Sequence, residues 1–191
     1  MTDTFLPQDY KEPITGKYLR FEQGSTVFRI LATPIMGYEY WVTDGDKRKP
    51  VRKRPQENIP QGELEANPKT GEPETPKFFW ALPIYVESDN SIKILEITQK
   101  GIRNAITSLS QSKVWGSPLN YDIEVTRAGE GLETAYTVLP QPKSELSASA
   151  KEMIDEVLPT IHMDALFSGA DPFAGKPTEE ITVKDIEDAG L

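Results

Sequence analysis

Short apolar runs of period two, each closed by Gly, Pro, Asp or Asn, fill most of the first 140 residues and leave room for one helix. Tyr18-Leu19-Arg20-Phe21 alternates, Gly24 breaks it, and Thr26–Leu31 resumes with β-branched residues, a pattern that predicts a hairpin. Gly37–Thr43 is rich in aromatics and runs into the turn signal Asp44-Gly45-Asp46, which returns the chain through Lys47–Arg54. Prolines at 55, 60, 68, 73 and 76 then exclude both helix and strand, so residues 55–76 are expected as a long surface loop. Lys77–Val86 and Ser91–Ile97 form a second predicted hairpin around Ser88-Asp89-Asn90. Thr98 is a suitable N-cap for a helix over Gln99–Ser110, with Ile102, Ile106 and Leu109 on one face. Tyr121–Arg127 and Leu132–Leu139 close the series about Gly129-Glu130-Gly131. The fold class expected is mainly β: a small barrel with one helix plugging an end.

Charge divides the 191 residues into two parts. Residues 1–143 carry 18 Lys/Arg against 19 Asp/Glu, whereas residues 144–191 carry 3 against 11, so most of the net charge of −9 sits at the C-terminal end. A domain over 1–143 with an acidic tail over 144–191 is the expected organisation. Within the tail, Ser147–Leu158 has the spacing of a short amphipathic helix, and the segment beyond Pro159 is too polar to offset its own ordering entropy. The chain has no cysteine and one histidine, His162, which excludes disulfides, thiolate zinc sites and multi-histidine metal centres. Neither a signal peptide nor an 18-residue apolar run is present, so a cytoplasmic protein is expected.

No nucleophile elbow, P-loop, dinucleotide fingerprint or zinc-protease motif occurs, so neither catalysis nor a cofactor is expected. The acidic pairs Asp44/Asp46 and Asp122/Glu124 read as a turn and as the solvent face of a strand. The run Lys47-Arg48-Lys49-Pro50-Val51-Arg52-Lys53-Arg54 places six cations in eight residues. Tyr38, Tyr40 and Trp41 precede it, and Phe78, Phe79 and Trp80 come after the loop. Cations that track phosphates, interleaved with rings that stack on bases, are the composition of a single-strand nucleic-acid site. Alternation sets Phe78 and Trp80 on one face and Phe79 on the other, and Tyr38 and Tyr40 opposite Trp41, so some of these rings are core. The expected groove uses Tyr38, Tyr40 or Trp41 with Phe78 or Trp80, and Lys47, Arg48, Lys49, Arg52, Lys53 and Arg54 against phosphates. Trp115 and Tyr121 are expected in the core.

The motifs Phe21–Leu31, Gly37 with Trp41, Phe79-Trp80-Ala81, Ile94–Lys100 and Trp115–Ile123, in that order over residues 18–140, resemble bacteriophage single-stranded DNA-binding proteins of the OB-fold type. The resemblance implies an OB barrel that coats single-stranded DNA, without sequence preference, in phage replication or recombination. It also implies a location in the host cytoplasm and an acidic tail that recruits replication or recombination proteins. Many such tails end on an aromatic residue after a run of acids; this chain ends Ala189-Gly190-Leu191 and carries Asp171-Pro172-Phe173 internally as the candidate docking element. The alternatives are a protein-interaction module that imitates nucleic acid to inhibit a host enzyme, and a metal-dependent nuclease.

Overall fold

A computed structural model describes residues 17–174 of the chain. Eight strands form one mixed sheet: β1 (Tyr18–Leu19), β2 (Gly24–Ile30), β3 (Ile35–Asp44), β4 (Lys47–Lys53), β5 (Lys77–Val86), β6 (Ser91–Ile97), β7 (Asp122–Ala128) and β8 (Ala135–Pro140). Their order is β1-β6-β5-β2-β7-β8, with the β3–β4 hairpin attached to β5 through β3. The sheet does not close, and among the described residues no ladder joins β8 to β6 or β1. The domain is therefore mainly β, as expected, and α1 (Lys100–Gln111) lies between β6 and β7.

The expected hairpin of Tyr18–Phe21 with Thr26–Leu31 does not form. Both edges of β2 are taken, by β5 through Arg29↔Tyr85 and Ile30↔Ile84 and by β7 from Gly24↔Arg127 to Arg29↔Asp122. Tyr18 and Leu19 instead pair in parallel with Ile94 and Leu95. The other hairpins lie where turn chemistry puts them. β3 and β4 pair from Tyr38↔Lys53 to Asp44↔Lys47 around Gly45, whose φ of 62° suits a two-residue turn. The β5–β6 ladder runs from Trp80↔Ile97 to Val86↔Ser91.

Alternation along β5 and β6 feeds two cores. Leu82, Ile84 and Leu95 join Phe28, Ile123, Val125 and the α1 residues Ile102 and Ile106 in the first. Phe79, Ala81, Tyr85, Ile92 and Ile94 face the other way and would be bare on an uncovered sheet. The C-terminal segment covers them. α2 (Ala148–Val157) buries Ala150 and Ile154 there, succeeded by Ile161 and by Leu166 of α3 (Ala165–Ser168). Residues of the 144–174 segment thus pack as a layer on the same sheet as the strands before residue 143. By composition the segment after Pro159 is too polar to order itself, but Ile161, Leu166, Phe167 and Phe173 reach an apolar surface already present on the sheet. The acidic residues from Glu179 onward lie outside the described residues.

Gly37 fixes how closely this layer approaches. A Cβ there would collide with the Lys53 carbonyl oxygen and sit 2.9 Å from the Phe167 ring.

Candidate nucleic-acid interface

Strand alternation divides the basic run. Lys47, Lys49 and Lys53 share a face of the β3–β4 hairpin with Tyr38 and Tyr40, while Arg48 and Arg52 share the other with Glu39 and Trp41. Most of the run is also neutralised within the domain. Arg48 reaches Glu65 at 2.9 Å and Glu74 at 3.1 Å, Lys49 reaches Asp44 at 2.6 Å, and Arg54 reaches Asp164 at 2.8 Å. Arg54 also lies over the Phe167 ring, 4.4 Å from its centroid. Arg52 bridges Glu39 at 2.8 Å and Glu96 at 2.9 Å, with all three side chains largely enclosed. Among the described residues, only the Lys47 and Lys53 side chains, of the six cations in the run, have no hydrogen-bond or ion-pair partner. The signal for this pairing is in the loop after the run, which carries Glu57, Glu63, Glu65, Glu72 and Glu74.

The expected rings separate as well. Tyr40 is 3% exposed and its hydroxyl donates to Glu63 at 2.8 Å; burial, with that bond second, pushes its pKa up to about 12. Such a ring offers no free face to a base. Trp80 packs against the first core. Tyr38 and Phe78 are half-buried and meet edge to face at 5.2 Å, with Arg103 over Phe78 at 5.2 Å. Of the expected rings, Trp41 lines a groove, together with Arg52.

That groove, about 570 Å³, lies where the sheet fails to close. Tyr18, Phe21, Trp41 and Tyr136 supply its rings, and Arg20, Glu39, Arg52, Glu96 and Gln99 its polar groups. β1 brings Tyr18, the β1–β2 connection brings Arg20 and Phe21, β8 brings Tyr136, and the hairpin brings Trp41 with Arg48 over its ring at 5.3 Å. Tyr18 is 41% exposed, and two further concavities, of about 940 and 480 Å³, meet the groove at that residue. Seven of these residues, Tyr18, Arg20, Phe21, Glu39, Glu96, Gln99 and Tyr136, are absent from the expected site. The Tyr18–Phe21 alternation that carries three of them suits a hairpin, and that assignment hides its place as a wall.

Burial holds the Glu96 carboxyl above its usual range; Arg52 works against this shift and Glu39 adds to it. The Tyr18 hydroxyl is also raised, by burial first and then by Glu96. The groove therefore holds the Glu39 and Glu96 carboxylates beside the Arg20 and Arg52 guanidinium groups and offers a phosphate no excess of positive charge. Its rings are the stronger attraction.

Asp171-Pro172-Phe173, the expected docking element, is occupied in cis. Asp171 pairs with Lys17 at 2.7 Å, Lys17 lies 5.2 Å from the Phe173 centroid, Pro172 is buried, and its carbonyl accepts from the His162 backbone N–H. The Lys17 hydrogen bond, with the Phe173 backbone N–H second, holds the Asp171 carboxyl below its ordinary range. Among the described residues no cluster of three or more His, Cys, Asp or Glu side chains could hold a metal ion, and no helix is long and apolar enough to cross a membrane. No protein-family model matches the chain, and no curated protein or solved structure is significantly similar to it.

Proposed function

We propose that the chain is a non-catalytic, sequence-independent binder of single-stranded DNA that protects strands and melts hairpins by mass action, with its bases in the groove beside Trp41. The observation that carries this reading is the convergence of Tyr18, Phe21, Trp41 and Tyr136 with Arg20 and Arg52 on one concavity. Ring faces accept any base at roughly 1–3 kcal/mol per base, which gives affinity without sequence preference.

The order β6-β5-β2-β7-β8, with α1 between β6 and β7, supports an OB-like, partly open five-stranded barrel. In that class, oligonucleotides bind across the second and third strands and the loop joining the first to the second. Here those strands are β5 and β6, and the β3–β4 hairpin is inserted in that loop, between β2 and β5. The setting, bacteriophage DNA replication or recombination with partner proteins recruited by the acidic end of the chain, rests on the resemblance over residues 18–140.

Because most of the basic run is neutralised internally, this binding is led by stacking. Arg20 is the groove cation left for a phosphate, and one contact corresponds to a slope of log affinity against log salt of about −0.7. Titration of the full chain with labelled single-stranded and duplex oligonucleotides, across salt and with and without magnesium, tests the reading. Tight single-strand binding, a shallow slope and no magnesium-dependent cleavage are expected. Absence of single-strand binding at low salt, or equal affinity for duplex, would refute it.

A further inference from the structure

Arg29 is the only buried charged side chain among the described residues, at 5% exposed. Asp122 accepts from its Nε at 2.6 Å, and the carbonyl and hydroxyl of Ser144 accept from its Nη2 at 3.1 and 3.2 Å, so the guanidinium is fixed in one orientation. Nη1 makes no hydrogen bond among the described residues and is not one of the enclosed side-chain atoms that lack a partner, so it meets solvent. Arg29 lines a concavity of about 450 Å³ that shares no residue with the Trp41 groove. Lys143 and Lys151 line it too, with Asn120, Ser144 and Glu145. Bonds hold these groups together: Ser144, bonded to Arg29, follows Lys143 in the chain, and Glu145 pairs with Lys151 at 2.9 Å.

Charge sets this concavity apart. Its three cations meet two carboxylates, Asp122 and Glu145, and the Lys143 ammonium has only the Val114 carbonyl, at 3.2 Å, as a partner. In the concavity beside Lys17, by contrast, Lys17, Lys49 and Arg52 are each paired with a carboxylate. The one beside Glu22 sets Arg20 and Lys93 against Glu22, Glu87 and Asp89. A positive excess in a partly enclosed space, with one guanidinium already desolvated and ordered by folding, favours an anion.

We infer that this concavity is a second ligand site, for a phosphate group. Its cations stand on three different stretches, β2, the β8–α2 connection and α2. A tetrahedral phosphate presents oxygens in several directions to such donors, whereas a carboxylate presents two in one plane. The phosphate is either free or part of a nucleic-acid strand that extends beyond the groove. The inference stands whether or not the Trp41 groove holds DNA.

The test is a titration of the full chain with inorganic phosphate at constant ionic strength, followed by NMR through the Arg29 Nε–H and the backbone N–H groups of residues 143–145, with acetate as the reference anion. A saturable shift at these groups in phosphate and none in acetate is expected. Its midpoint should rise about tenfold in Lys143→Gln, the usual worth of one charge-assisted contact. Lys151→Gln makes the same comparison should the first variant not fold. No saturable shift in phosphate, an equal response to acetate, or an equal midpoint in wild type and variant overturns the inference. Oligo-dT binding with phosphate replacing chloride then identifies the source. Binding weakened by phosphate in wild type but not in Lys143→Gln assigns the site to a strand phosphate, and any other pattern assigns it to the free anion. If the chain binds no oligo-dT, the groove reading falls and the phosphate titration alone decides this one.

Discussion

Tyr40 and Trp41 are neighbours in sequence with opposite fates. Tyr40 lies 3% exposed and bonded to Glu63, so Tyr40→Phe should cost about 0.5–1.5 kcal/mol of stability and Tyr40→Ala about 3–5 kcal/mol, both leaving oligonucleotide affinity unchanged per folded molecule. Chemical denaturation alongside an oligonucleotide titration checks both halves. Glu96 gives a pH signature. Its carboxyl is raised above its ordinary 4.5 by burial, with Arg52, Glu39 and Arg20 the charges around it. The folded chain then holds that proton more tightly than the unfolded chain does, so the contribution is present below 4.5 and is lost as pH rises through the folded value. Asp171 runs the other way: with its pKa depressed, its stabilisation is present above 3.8 and lost on acidification through the folded value. Thermal midpoints measured across pH should therefore fall more steeply just above pH 4.5 in wild type than in Glu96→Gln; parallel curves would show that Glu96 is not held in this way. Which rings are core is only half legible in the sequence. Period two separates Tyr40 from Trp41 but does not say which face the loop residue Glu63 will cover.

The strands β3 to β6 are legible because turn residues mark them: Asp44-Gly45-Asp46 and Ser88-Asp89-Asn90 fall at the turns of the two hairpins that form. β1 is not, since a two-residue strand has too little pattern to state its partner, and its pairing with β6 is decided by which edges remain free. The helix at 100–111 starts within a residue of its expected place, but its N-cap is Gln99 and not Thr98. The C-terminal layer escapes a sequence reading for a related reason. Sparse apolar residues can order a segment when the surface they meet is already built, and composition alone does not reveal that surface. Removal of residues 144–191 should accordingly strip the cover from Phe79, Tyr85, Ile92 and Ile94 and yield an aggregating or unfolded product. Ile154→Ala, a milder version at the centre of that layer, should cost about 2–5 kcal/mol. A soluble 1–143 fragment with the full-length thermal midpoint would restore the two-part organisation that the sequence suggests.

For the molecule as a whole, the charge distribution and the groove lead to different expectations of affinity. A net charge of −9 and a basic run largely spent on Glu39, Glu65, Glu74, Glu96, Asp44 and Asp164 leave little long-range attraction for a polyanion. The rings at the open seam of the sheet remain, assembled from β1, β3, β8 and the β1–β2 connection, four stretches drawn from both ends of the strand series. That assembly is why composition points to ring chemistry at other residues: interleaved cations and aromatics surround Trp41 in the chain, whereas Tyr18, Phe21 and Tyr136 reach it only through the fold. Trp80 and Trp115 pack against the first core, which makes Trp41 the one tryptophan placed to report on a ligand in the groove. The most direct measurement is intrinsic fluorescence during titration with oligo-dT, in wild type and in Trp41→Phe, with binding monitored independently by anisotropy of a labelled strand. The account predicts quenching on binding in wild type, its loss in Trp41→Phe, and a thermal midpoint nearly unchanged by the substitution. Binding that proceeds with no change in Trp41 emission, or quenching that persists in Trp41→Phe, would contradict it.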